Sequence, residues 1–332
     1  MDNRIYIYSE TAFHHEGDFS YLIALIEETK KAGLNAIKFQ VIIDLDYLTS
    51  TKHSAYDTLV TCVLTLEQWL KIFSHASKCG LDIIFLPLDL SSFELLSAML
   101  VKPKYLEIHP VCFYDQEIIK RIKETKIPVI LGVGGRTIEE LNEIDNLLGA
   151  QLEVLLIGFQ SFPSKIEDVK LERISVLKEL YPNKIIGYAD HSSFNDEFAI
   201  ISNEYAYILG ARIFEKHITL NEGVERIDFE SAIGSEKMRI LKERLVFLDS
   251  KILKYSSDEL MIIDEPELTY RNRQKVYVAS RTLKRGSLIA EEDIVLKMIN
   301  KSGGLIKKTD LLDKELLVDI MTDDIIIKDQ LK

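Results

Sequence analysis

His191 follows Asp190 directly, and His217 lies two places after Glu215. Two neutral imidazole nitrogens with open positions around them suit a catalytic Mn²⁺, Fe²⁺ or Co²⁺ ion, with water and substrate oxygens completing the shell. Asp190 and Glu215 are then either ligands or groups that orient the imidazoles. The other reading is two unrelated structural histidines, and spacing alone favours neither. Lys38 stands inside the apolar run AIKFQ, so it is either paired with carboxylates or placed to bind an anion. The run GVGGR (132–136) can offer backbone N–H groups to a phosphate or carboxylate, with Arg136 adding charge, and it reads equally well as a plain tight loop. His14 and His15 are expected to face solvent, and His53 and His75 read as surface or helix-face residues without a role.

Short β-like runs must position these groups. They are Arg4–Tyr8, Ala36–Gln40, Asp82–Leu86, Tyr105–Ile108, Pro128–Leu131, Glu153–Ile157, Lys184–Gly187 and Arg212–Phe214. Amphipathic helical patterns separate them: Tyr21–Lys31, Leu66–Lys78, Gln116–Lys123, Ile138–Leu148, Asp168–Leu180, Glu197–Leu209 and Ser235–Leu248. Strands alternating with helices imply parallel pairing through crossover helices. Eight such units in about 250 residues point to an α/β fold of the (β/α)₈ TIM-barrel type. An open doubly wound sheet would want a glycine-rich turn after the first strand, and that position reads SETAFHHEG.

A barrel of this kind carries its chemistry after the C-terminal ends of the strands. Polar residues gather there: Glu10, then Lys38 and Gln40, Asp89, Glu107 and His109, the glycine loop with Arg136, Gln160 and Ser161, Asp190 and His191, and Glu215 to His217. The expected domains are a barrel over residues 1–252, an acidic linker over 253–270 containing Pro266, and a small β-rich domain over 271–332. In that last domain Val276–Val278 reads as a strand, Lys284–Gly286 as a turn and Ala290–Asp293 as a capped short helix.

Composition narrows the function classes. A net charge of −12 argues against a nucleic-acid binder and against docking on anionic membranes. An anionic substrate then needs local cations or a metal. Cys62, Cys79 and Cys112 are odd in number and widely spaced, so they read as reduced thiols. No signal peptide and no bilayer-length apolar stretch is expected, which places the protein in the cytoplasm.

Several of these segments resemble one family. EKHITL (Glu215–Leu220) resembles the E-K/R-H-F/I-T signature of the sialic acid synthases, and GYADHS (Gly187–Ser192) resembles their G-x-S-D-H-T. SETAFHHEGD (Ser9–Asp18) is similar to A-E-I-G-x-N-H-x-G-D, and KAGLNAIKFQ (Lys31–Gln40) to A-G-A-D-x-x-K-F-Q. The C-terminal stretch looks like the family's antifreeze-protein-like (SAF, β-clip) cap. The resemblance spans nearly the whole chain. It implies a metal-dependent transferase that joins phosphoenolpyruvate to the open-chain aldehyde of an N-acetylated, ManNAc-type amino sugar. The product is a nonulosonic acid, and phosphate is released. By that matching His191 and His217 hold Mn²⁺ or Mg²⁺, and Glu10 sits at the reaction centre. Lys38 and Gln40 contact phosphoenolpyruvate, while Asp190, Glu215 and Asp228 lie around metal and sugar. The family forms dimers in which the cap of one chain closes the barrel of the other.

Departures from the family pattern gather on the donor side. S-T-P-F after the third strand is FLPL here, and K-I-x-S-G-E after the fourth reads LEIHPVCF. S-T-G becomes Gly132-Val133-Gly134, and N-x-Y-P becomes Gln160-Ser161-Phe162-Pro163. The cap's R-P-G becomes Met298-Ile299-Asn300, which removes its arginine. Gln160, His109 and Arg136 are the expected replacement contacts to substrate. Two alternatives follow: a condensing enzyme with another acceptor or donor, or a catalytically inactive relative that binds a sugar acid.

Overall fold

Runs rich in Ile, Leu and Val are stable as parallel strands only when both faces are covered, and here they close on themselves. The computed structural model describes residues 5–158, 161–254, 258–271 and 273–332. The strands are β1 (Tyr6–Glu10), β2 (Ala36–Val41), β3 (Asp82–Pro87), β4 (Tyr105–Ile108), β5 (Val129–Gly132), β6 (Leu152–Gly158), β7 (Ile185–Asp190) and β8 (Ile213–His217). They pair in sequence order, all parallel, and β8 returns to β1 to complete a closed barrel.

Side chains alternate across each strand. One set points inward, where Tyr8, Ile84, Ile130, Val154, Leu156, Ala189 and Ile213 pack among themselves. The other set meets the helices in a larger core that includes Phe39, Phe85, Leu131, Leu155 and Phe214. Burying each such side chain contributes about 1.5–3 kcal/mol. Helix starts are capped by side chains. Asp18 accepts the N–H of Tyr21 ahead of Phe19–Lys31, and Thr65 and Gln68 form a capping box ahead of Leu66–Lys78.

Three strands run further toward their C-terminal ends than their apolar composition suggests. Glu10, Asp190 and the segment through His217 belong to the ladder, with Glu10 level with both Lys38 and His217, and Asp190 level with Lys216. Polar residues resemble loop in a sequence, but in a barrel their backbones still pair. The helix expected over Asp168–Leu180 is two, Ile166–Val169 and Arg173–Leu180. Lys170 sits between them with φ 54°, a left-handed conformation that a helix cannot continue through. His14 and His15 are buried, not solvent-facing. His14 bridges Thr219 Oγ1 (2.9 Å) and the Ile227 carbonyl (2.8 Å), and His15 packs edge-on against Trp69.

The chain divides into two units, residues 1–254 and 255–332. In the second, β9 (Val276–Ala279) pairs antiparallel with β10 (Ile294–Lys297), around a small core of Leu283, Ile289, Leu311, Leu316 and Ile326. A short helix, Glu265–Arg271, occupies part of the stretch expected as linker. No described helix is long and apolar enough to cross a membrane.

Candidate active site

The inward residues at the C-terminal ends of β1, β2, β4, β7 and β8 converge on one small concavity. Glu10, Lys38, Gln40, Glu107, His109, His191, Glu215, His217 and Asp228 line it. Lys38 is fully buried at the centre of three carboxylates: Glu215 Oε2 at 2.6 Å, Glu107 Oε1 at 2.9 Å and Glu10 Oε1 at 3.1 Å. The lysine in AIKFQ is therefore paired. Three buried carboxylates around one ammonium are unequal. Burial alone would raise Glu10, but Lys38 and then His217 outweigh it and hold that carboxyl well below its usual range. Burial, with the charge on Glu10, pushes Glu215 well above its usual range, and Glu107 is raised mainly by burial. The lysine's own pKa is raised by its three partners against the opposing effect of burial.

Beside this cluster the rings of His191 and His217 lie 5.0 Å apart, nearly perpendicular. Burial, then the neighbouring His217, lowers His191 to about 3, so its imidazole is neutral. Glu10 joins the pair: its Oε2 is 3.0 Å from His217 Nε2, while Gln40 Nε2 donates to its Oε1 at 2.7 Å. Ligand atoms of Glu10, His191 and His217 all lie within 4.8 Å of one another. A carboxylate with two imidazole nitrogens suits a divalent ion of the Mn²⁺ or Fe²⁺ type. His217 Nδ1 is buried with no hydrogen-bond partner among the described residues, so a donor nitrogen is left to spend on a ligand. The residues present fit a metal.

Alternation decides what stands beside the pair. Asp190 and Lys216, one place before each histidine, face the helix layer and form a fully buried ion pair at 2.8 Å. Asp190 also accepts from the Ser192 N–H and hydroxyl and from Asn203 Nδ2. It is therefore outside the mouth, which corrects its expected contact with substrate. The Asp190–Lys216 pair ties β7 to β8 on the outer face, and so aligns the two histidines on the inner face. The His191 carbonyl is held further by Ser164 N–H and Ser231 Oγ, both at 2.8 Å.

The structure moves Arg136 away from the mouth as well. Its guanidinium lies over the Phe113 ring at 4.3 Å, donates to the Pro110 carbonyl at 2.7 Å and pairs with Glu140. It braces the β4 and β5 loops instead of presenting charge to a ligand. In GVGGR, the Arg136 N–H closes a turn onto the Val133 carbonyl. A Cβ at Gly134 would come within 2.4 Å of the Gly158 carbonyl, so glycine there permits close approach of two backbones. Asp89 is a loop anchor: its carboxylate accepts the N–H groups of Ile43, Asp44 and Ser92. His109 does line the mouth, accepts the Val111 N–H, and is lowered to about 4 by burial and then Lys38. Asp228 lines it too, with a left-handed backbone (φ 61°) and a carboxyl raised by burial. Gln160 lies outside the described residues.

Two groups at the site were given no role from the sequence. Phe162 stacks on His217 and meets His191 edge-on, at 5.7 and 4.9 Å between ring centroids. It occurs in a loop with no periodic pattern, so only its place in the motif marked it. Glu107 is the third carboxylate on Lys38, and its signal was available: a charge in the apolar run YLEI, of the same kind as Lys38 in AIKFQ.

The model of the NeuB family matches residues 25–252, most of the barrel unit. This chain belongs to the NeuB family. Named relatives resemble it along most of their length. A pseudaminic acid synthase of Campylobacter jejuni is 27% identical over 96% of this chain and 94% of that protein. An N-acetylneuraminate-9-phosphate synthase of Drosophila melanogaster is 25% identical over 97% and 95%. The fold also matches a candidate spore coat polysaccharide biosynthesis protein E from Chromobacterium violaceum, with a TM-score of 0.83, 19% identity, and 99% and 100% of the two chains covered. The NeuB match contains Lys38, Gln40, His191, Glu215 and His217, and Glu10 lies just ahead of it.

Proposed function

We propose that this chain is a nonulosonate synthase, joining phosphoenolpyruvate to the aldehyde of an N-acetylated amino sugar and releasing phosphate. The observation that carries this is the gathering of Glu10, Lys38, Glu215, His191 and His217 in one buried mouth of a NeuB-family barrel. His191, His217 and Glu10 are the residues to hold a divalent ion, Mn²⁺ or Mg²⁺. That ion supplies Lewis-acid polarisation of the aldehyde oxygen. Gln40 orients the Glu10 carboxylate through its 2.7 Å hydrogen bond. Lys38 keeps Glu10 ionised and offsets the carboxylates where an anionic donor has to enter. Glu215 is the carboxyl whose pKa burial and the Glu10 charge push upward, on a side chain reaching into the mouth. Phe162 covers the histidine pair and limits water there. The two relatives are named for making different acids, so the acceptor is left as the amino-sugar class.

The deciding experiment is phosphate release from phosphoenolpyruvate with Mn²⁺ and a panel of N-acetyl sugars. Release that needs both the metal and one sugar, and is lost in His217→Ala, is expected. Absence of release with every acceptor, alongside metal binding, rejects this donor. One observation favours that second reading, a condensing enzyme with a different donor: among the described residues, Lys38 is the sole lysine or arginine lining the mouth, and three glutamates already engage it. We further assign the second unit as the antifreeze-like cap of a domain-swapped dimer in the cytoplasm. Met298 and Asn300 then stand where an arginine would reach the partner's site.

A further inference from the structure

On the outer flank of the barrel, helix Phe19–Lys31 packs beside helix Leu66–Lys78. His75 lies in the last turn of the second helix, and Cys79 caps it four places on, so both side chains share one face. Glu27 faces them from the first helix. Its Oε1 is 2.6 Å from His75 Nε2 and 3.5 Å from Cys79 Sγ, and the sulfur is 3.8 Å from the same Nε2.

Cysteine, histidine and a carboxylate in contact could form a nucleophilic triad, but a triad uses both imidazole nitrogens, one toward the nucleophile and one toward the acid. Here thiol and carboxylate both face Nε2. Three donor atoms lying within 4.8 Å of one another can instead part slightly to hold one ion. A sulfur, an imidazole nitrogen and a carboxylate oxygen are the ligands of zinc-class ions, with a fourth, tetrahedral position left for water. The charges balance: a thiolate and a carboxylate offset a dication, and the thiol proton passes to solvent as the metal–sulfur bond forms. A shallow groove along the same two helices, lined by Phe19, Ile23, Leu70 and Ser74, reaches His75 and gives an ion access.

We propose that Glu27, His75 and Cys79 form a second divalent-metal site, of zinc class, that clamps these two helices. The helices flank β1, β2 and β3, so the clamp stiffens the wall that carries Glu10 and Lys38 while touching neither. The site is separate from the mouth and needs no synthase activity to be detected.

The test is a Co²⁺ titration of the full-length protein carrying His191→Ala and His217→Ala, which removes the mouth pair. A thiolate-to-cobalt charge-transfer band saturating at one equivalent and displaced by Zn²⁺ is expected. Cys79→Ser should abolish it, and Glu27→Gln, at a half-exposed position that leaves folding intact, should weaken binding by about tenfold or more. Zn²⁺ should raise Tm in this double variant and not once Cys79→Ser is added to it. Absence of the band, its survival in Cys79→Ser, or unchanged affinity in Glu27→Gln would overturn the proposal.

Discussion

Lys38 shows how much one side chain decides. An ammonium with 2% of its side chain exposed, holding three carboxylates, is stabilising only as a complete set, because each remaining charge is uncompensated once the lysine is gone. Lys38→Met is expected to lower stability by about 3–5 kcal/mol in urea unfolding, and to abolish turnover. Adding Glu215→Gln should recover part of the stability and none of the activity. An equal loss in both proteins would show that the carboxylates repack without need of the ammonium. His15 permits a signed pH prediction. Burial, then the charge on His14, lowers it to about 4, so the folded chain leaves it neutral where the unfolded chain protonates it. The stability it permits is present above pH 6.5 and is lost as pH falls toward 4. The raised Glu215 acts with the opposite sign, so the comparison must be between variants. The wild-type stability relative to His15→Phe should fall through that window, by up to about 3 kcal/mol.

Elements set direction. The run AIKFQ placed Lys38 in a strand and EKHITL placed Glu215 and His217 just past the end of one, but the inward or outward sense of each residue depends on register. A single-residue change in that sense puts Asp190 with Lys216 behind the sheet and His191 in front of it. Arg136 illustrates the same limit for loops. Its sequence position after a strand placed it among candidate anion binders, whereas the Phe113 ring and Pro110 carbonyl draw it sideways. Arg136→Ala should therefore leave the KM for the donor unchanged and lower the unfolding midpoint, since a cation–π contact and a hydrogen bond to charge are lost, each worth about 1–2 kcal/mol. A donor KM raised tenfold would return the arginine to the site.

At the scale of the molecule, the proposed metal and the proposed assembly would couple to the fold. An ion bound by Glu10, His191 and His217 joins β1, β7 and β8 at the barrel's closing seam, so occupancy resists opening there. Thermal scans with Mn²⁺ at about a hundred times its Kd should show stabilisation of about 2.7 kcal/mol in the wild type and none in His217→Ala. The assigned cap predicts a dimer mass by sedimentation for residues 1–332, and a monomer once residues 258–332 are removed. A full-length monomer would refute the swap.

The eight-strand alternation, the histidine pair, the lysine and the closing glutamates were legible in the chain because residue type and period are local properties. The barrel follows from them, since parallel strands so apolar have to bury both faces. Tertiary structure alone decided the rest. It showed that Glu107 shares Lys38, that Glu10 stands between lysine and histidine, and that Phe162 covers the imidazoles. It also showed that Asp190 and Arg136 serve the scaffold, and that Glu27, His75 and Cys79 meet. Those outcomes depend on register, on the alternation of side chains across a closed sheet, and on contacts between residues far apart in sequence. None of these is carried by a residue's own neighbours.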